Sequence, residues 1–326
     1  MGLKLGKNIF RILLMLIFLV SCTFSQDDEL YYPDFKKVAQ AGFKFLSIGV
    51  GARQTAMGDA AVTEMGDASA LFWNPAGIAA IDRVSVFVDH TSWLIDTNLS
   101  SAAAVLPLGQ YGNLGISALM MDYGTIQGTR ISNNNIGYED TETLEPGSYS
   151  IGLTYGRRLT ERFQFALTSK FAAEDLVAMD LNALAFDFGT IFYTGAHGMH
   201  IGFTIQNFVF KELHYINEEF MLPLTFRVGF SADVTSLAGI SSDHSKVNLV
   251  LEGAKPRDFS ERVHAGLEYK YGSLIALRGG YRFNYDEGGL TFGVGLGIKT
   301  FDVGFSYADF GSMLGNVSRI SANFAF

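Results

Sequence analysis

The chain has 326 residues, of which only 17% are charged while 48% are hydrophobic and 13% aromatic; an ordinary soluble domain carries about 25% charged residues. The net charge of −9 argues against nucleic acid as a partner. Beyond residue 26 no apolar run approaches the roughly 18 residues a membrane helix needs, so the apolar content points to the other backbone solution in lipid, a closed β-barrel.

Residues 1–26 read as a signal peptide. Lys4, Lys7 and Arg11 form a basic start, Ile12–Val20 an apolar core, and Ser25, Gln26, Asp27 and Asp28 a polar exit. Removing those three positive charges takes the net charge from −9 to −12. The single cysteine, Cys22, falls in this segment. Leu19-Val20-Ser21-Cys22 resembles a bacterial lipobox, in which Cys22 would be lipidated. The alternative, cleavage nearer Gln26, suits a barrel that needs no lipid anchor. On either reading the exported chain has no disulfide.

Residues 27–82 lack strand alternation and are expected to form a compact plug segment on the periplasmic side or in the lumen. Two motifs stand out: Gly49, Gly51, Ala52 and Arg53 with Met57-Gly58, and Asp67-Ala68-Ser69 with Trp73-Asn74-Pro75-Ala76-Gly77. The glycines invite comparison with an anion-cradling loop. Neither a Gly-Lys-Ser/Thr signature nor a strand–loop–helix unit accompanies them. Asn74-Pro75 and Ala76-Gly77 are turn chemistry, and Gly and Ala let backbones approach closely in a narrow space. Arg53, Asp59 and Asp67 are expected to pair with inward wall charges such as Arg227, Arg278, Arg282 and Glu268.

Residues 83–326 alternate with period two. Leu290, Phe292, Val294, Leu296 and Ile298 face one way, and Thr291, Gly293, Gly295 and Gly297 the other. One face fits lipid and the other a filled lumen. Fourteen such segments are predicted: 83–90, 98–108, 112–122, 148–159, 162–174, 181–193, 199–210, 223–234, 246–254, 262–271, 273–284, 289–298, 300–309 and 317–326. Connection lengths alternate as a membrane barrel requires, with short periplasmic turns and longer outer loops. Tyr123–Gly147 and Lys211–Leu222 are long; Gly109–Tyr111, Thr160–Glu161 and the junctions at Gly272 and Lys299 are short. Thr235–Ser245 is longer than its inner position predicts. The parity places both ends in the periplasm. The fold class is therefore all-β, a 14-stranded antiparallel transmembrane barrel with an N-terminal plug in the lumen.

Chemistry-bearing residues form no catalytic constellation. His197 and His200 sit three apart in a turn, without the third convergent ligand a zinc site needs. No Ser/His/Asp set is legible, so neither enzyme activity nor a metal or cofactor is expected. Phe208 and Tyr193 are taken as inward aromatics. In the last strand Ile320, Ala322, Phe324 and the terminal Phe326 share one face. That pattern resembles the signal read by the barrel-assembly machinery.

The motif pair Gly49–Gly58 and Asp67–Ala79 is similar to that of the PorV/PorQ family of outer-membrane proteins. These are relatives of FadL-type barrels, which share the Asn-Pro-Ala-Gly element. The resemblance implies a fourteen-stranded barrel with its N-terminal segment folded inside, in the bacterial outer membrane. It also implies service in type IX protein secretion as an adaptor, with a large translocon and cargo C-terminal signal domains as partners. FadL-like members instead pass hydrophobic molecules through the wall.

Overall fold

The structure, a computed structural model, describes residues 41–133, 136–177, 180–211, 213–215, 218–240 and 244–326. The expected signal peptide, with Cys22, lies outside the described residues. The strands in chain order are β1 (Ser85–Ser92), β2 (Asn98–Pro107), β3 (Asn113–Asp122), β4 (Ile126–Ile131), β5 (Tyr138–Leu144), β6 (Gly147–Arg158), β7 (Phe163–Asp175), β8 (Asp180–Tyr193) and β9 (His200–Phe208). They continue with β10 (Leu213–Tyr215), β11 (Glu218–Phe220), β12 (Thr225–Asp233), β13 (Ser245–Pro256), β14 (Arg262–Tyr271), β15 (Ile275–Phe283), β16 (Leu290–Ile298), β17 (Phe301–Asp309) and β18 (Asn316–Ala325).

Fourteen of these close an antiparallel barrel, β1-β2-β3-β6-β7-β8-β9-β12-β13-β14-β15-β16-β17-β18, sealed by β1 pairing with β18 from Ser85↔Ala325 to Ser92↔Ser318. Closure leaves no unpaired edge, which is what lipid demands of a sheet. Each predicted segment corresponds to one barrel strand. The outer face carries exposed Ile116, Ile151, Leu153, Leu184, Phe292, Val294, Leu296 and Ile320, an apolar wall that only a bilayer would cover. The protein is thus a membrane-spanning barrel of the outer-membrane type, and it belongs in the bacterial outer membrane.

Two long connections differ from expectation. Read as loops, they carry hairpins of their own, β4–β5 and β10–β11. Both lie on the long-loop rim, the outer one. The overlong inner connection contains a short helix, Val234–Leu237, capped by the Asp233 carboxylate, which accepts from the Ser236 N–H at 3.1 Å.

Residues 41–82 fill the lumen. Ala41 bridges Met221 in the β11–β12 connection, and the Phe43 N–H donates to Glu174 Oε2 (3.1 Å) near the outer end of β7. Lys44 pairs with Asp258 in the β13–β14 turn. At the opposite rim the Asn113 side-chain amide donates to the carbonyls of Ile78 (2.6 Å) and Ile81 (2.7 Å). The plug therefore runs down from the outer rim and hands over to β1 at the inner one. Both barrel ends lie at the inner rim as expected, but the described plug begins at the outer rim, because Ala41 and Gly42 are tied to Met221.

Candidate functional site: the plugged lumen

The two sequence motifs meet inside the barrel and hold each other. Gly51, with φ of 89°, turns the chain into the short helix Ala52–Ala56. The Gln54 amide donates to Ser69 Oγ (2.6 Å), and the Trp73 indole donates to the Val50 carbonyl (2.8 Å). Asp67 caps the 3-10 turn Ala68–Phe72 by accepting from the Ser69 N–H (2.8 Å), while the Ala68 N–H donates to Ser85 Oγ (3.1 Å). Asn74 is fully buried. Its amide donates to the carbonyls of Val62 (2.7 Å) and Thr190 (3.2 Å), and its oxygen accepts from Ala76 N–H (3.1 Å). Pro75 opens the next 3-10 turn. Gly77 lies where a Cβ would come within 2.8 Å of the Ala70 methyl.

The wall receives the plug in complementary ways. Arg53 makes a two-pronged pair with Glu268 (3.0 and 3.1 Å) and also pairs with Glu64. Asp59 takes Arg282 (3.2 Å). Glu252 accepts from the N–H groups of Ala61 and Val62, each at 2.8 Å, while its other oxygen takes Arg227 (2.6 Å). The Arg227 guanidinium also lies over the Trp73 ring at 5.0 Å. Ala52 N–H reaches Ser321 Oγ (3.2 Å), Gly58 N–H reaches Thr291 Oγ1 (3.0 Å), and Arg319 donates to the Gly49 carbonyl (3.2 Å). Met57 and Gly58 sit against Gly266 and Gly280. A Cβ on Gly58, whose φ is 68°, would lie 2.8 Å from the Tyr281 nitrogen.

Of the expected ion pairs, Arg53–Glu268 and Asp59–Arg282 form. Asp67 instead spends its carboxylate on the Ser69 cap, because it starts a turn rather than facing the wall. Arg227 and Arg278 find wall partners, Glu252 and Glu268 (2.8 Å). Glu64, Glu252, Ser321, Thr291 and Asn113 were not singled out by sequence. Their signal was inward parity on a strand, which does not say which inward group meets the plug.

Phe208 corrects an expectation. The β8–β9 register shifts between Phe186 and Phe188, and Asn207 adopts φ of 61°. One extra residue reverses the parity of the residues after it. Asn207 therefore turns inward, its N–H bonded to Asp187 Oδ1 (2.7 Å). Phe208 pairs with Phe186 and joins Phe188 and Phe210 on the outer face. Tyr193 keeps inward parity but ends β8 at the inner rim, stacked on His200 and exposed.

Beneath the outer rim on the β1–β8 side the plug packs against the wall through apolar side chains. Phe43, Phe45, Leu46, Ile48 and Phe72 of the plug face Leu99, Ala103, Leu119, Met121, Ala172, Ala183 and Ala185 of the wall. Toward the inner rim on the β13–β18 side lies a polar cavity of about 630 Å³. At the C-terminus, Ile320 and Phe326 are exposed on the lipid side, and Ala322 and Phe324 share their face.

A family model described as "Uncharacterised protein family (UPF0164)" matches residues 22–141, which take in both plug motifs and the first three barrel strands. No curated protein matches the sequence. In fold the chain is similar to FadL-like barrels. One is the toluene transporter TodX of Pseudomonas putida: TM-score 0.54, 14% identity, covering 85% of this chain and 97% of that one. Another is a FadL homologue of Pseudomonas aeruginosa: TM-score 0.52, 11% identity, covering 86% and 99%. A deltaS2S3 mutant of TodX, described as a monoaromatic hydrocarbon channel, gives TM-score 0.51 and 13% identity over 85% and 98%. At these identities the likeness is one of fold.

Proposed function

We propose that the barrel passes small hydrophobic molecules across the outer membrane, with residues 41–82 as its closed gate. The observation that carries this reading is the apolar seam under the outer rim, where Phe43, Phe45 and Phe72 of the plug pack against Leu99, Leu119, Met121, Ala183 and Ala185 of the wall. A water-filled pore would line that level of the wall with polar groups. Next to it the β8–β9 ladder is interrupted at Asp187 and Asn207, with Phe186, Phe188, Phe208 and Phe210 on the lipid side. An interrupted ladder is the weakest place in the wall for an apolar molecule to leave sideways. The toluene transporter and hydrocarbon channel with this fold support the reading. The test is uptake of labelled toluene by cells expressing the protein. Uptake above cells lacking it, reduced at least tenfold by Ala183→Trp with Ala185→Trp, is expected. Uptake equal to cells without the barrel would end the reading.

A second reading, the PorV-like adaptor of type IX secretion, rests on the motif resemblance. One observation favours it: hairpin β4–β5 stands on the outer rim with Ile126, Ile131 and Tyr138 exposed. Its partners would be the translocon and cargo signal domains, and β18, with Phe326, would engage the assembly machinery. Purification in mild detergent separates the two readings. Recovery of translocon and cargo, lost on deleting 126–144, supports the adaptor; a barrel recovered without them removes it.

A further inference from the structure

The inner-rim cavity has a charge pattern that the plug's own contacts do not explain. Three cations, Arg53, Lys270 (3.3 Å) and Arg278, share the single carboxylate of Glu268. Lys246 lies directly across the ladder from Lys270, both on the lumen side. Like charges opposed across a sheet destabilise it unless a counter-charge sits between them. Lys299, on the β16–β17 turn, lines the same cavity, and neither it nor Lys246 makes an ion pair among the described residues. His244 adds a further nitrogen at the mouth.

Against these cations the cavity wall carries two carboxylates among the described residues, Asp67, which caps Ser69 through one oxygen, and Asp302; Glu64 takes Arg53, and Asp233, which caps Ser236, lies near Lys246. Gly295, Gly297 and Gly304 line the cavity without side chains of their own, with the Arg278 guanidinium lying over Gly295 and the Asp302 carboxylate over Gly297.

We propose that this cavity is a binding site, open to the periplasm, for a small multivalent anion bearing phosphate or carboxylate groups. Lys246, Lys270 and Lys299 are its charge contacts. The site stands apart from the apolar seam between plug and wall and does not depend on what passes through the barrel. A polyanion bridging Lys246 and Lys270 relieves the repulsion between the two opposed lysines.

The test is calorimetric titration of the full barrel in non-ionic detergent at low salt, with inorganic pyrophosphate in one arm and citrate in the other. Saturable binding of at least one probe is expected, and which arm responds identifies phosphate or carboxylate. Lys246→Gln with Lys299→Gln should weaken it at least tenfold, while Lys255→Gln, on an exposed outer-rim lysine, leaves it unchanged. Asp302→Asn should tighten binding about threefold, which keeps the proposal testable if the double variant fails to assemble. Absence of saturable binding to the wild type in both arms overturns the proposal. So does undiminished affinity in the double variant, or no tightening with Asp302→Asn.

Discussion

The plug meets the wall along two different seams. Toward β12–β18 the contacts are directional: Arg53 on Glu268, Asp59 on Arg282, Ala61 and Val62 on Glu252, Ala52 on Ser321 and Gly58 on Thr291. Toward β2, β3, β6 and β7 they are mainly apolar, with Asn113 on the Ile78 and Ile81 carbonyls and Glu174 on the Phe43 N–H as the polar exceptions. Leu71 covers Gly115, Ile78 covers Gly156, and Phe43 and Phe45 lie among Leu99, Leu119 and Met121. Hydrogen bonds weaken steeply with angle and distance, so the first seam sets the depth and register at which the plug sits. Apolar burial is non-directional, so the second supplies cohesion and yields by degrees. A gate that must seat in one position yet be able to leave benefits from that division.

The sharpest way to break the comparison is Glu252→Ala. It strands Arg227 as a buried charge and orphans two N–H groups at once, at about 3–5 kcal/mol. The expected result is rapid protease cleavage within 41–82 while the barrel stays folded, with raised conductance in planar bilayers. Unchanged protection would show that the polar seam does not seat the plug. Ile78→Ala tests the other side. Loss of a buried aliphatic chain costs about 2–4 kcal/mol, and a lowered unfolding temperature without a rise in conductance is expected. If it opens the pore as Glu252→Ala does, the two seams are not distinct.

Gly115→Val probes the fit of the apolar seam. The new side chain would press on Leu71, whose Cδ2 lies 2.8 Å from the first added carbon. Overpacking of this kind costs about 1–3 kcal/mol, again read as a lowered melting temperature; no change would mean that the seam is loosely packed.

The legible parts of this molecule are those governed by local periodicity. Phe292, Val294 and Leu296 against Gly293, Gly295 and Gly297 declare a lipid face and a lumen face, and each predicted strand lies within a few residues of its observed position. Phe208 shows the limit. A bulge at Gln206–Asn207 is set by Asp187 on the neighbouring strand, and sequence spacing carries no trace of that partner. Hairpin β4–β5 was missed because its exposed strands lack an apolar face to alternate, and β10–β11 because strands of three residues are too short to show a period of two. Among the motif residues, Gly58 and Asn74 were recognisable as turn formers, but that Asn74 would bind the backbone of β8 was not.

Local pattern therefore fixes the barrel: strand number, inward and outward faces, and the rim at which β1 starts and β18 ends. Each follows from a repeat of two and from turn lengths, which neighbouring residues dictate. Only the tertiary structure decided the course of the plug from outer to inner rim, the choice of Glu252 and Glu268 among the inward acids, and the opposition of Lys246 and Lys270 at the inner mouth. Those depend on which strands closure makes neighbours and on where a non-periodic segment finds partners for its buried N–H groups, and such long-range pairings are not written in local pattern.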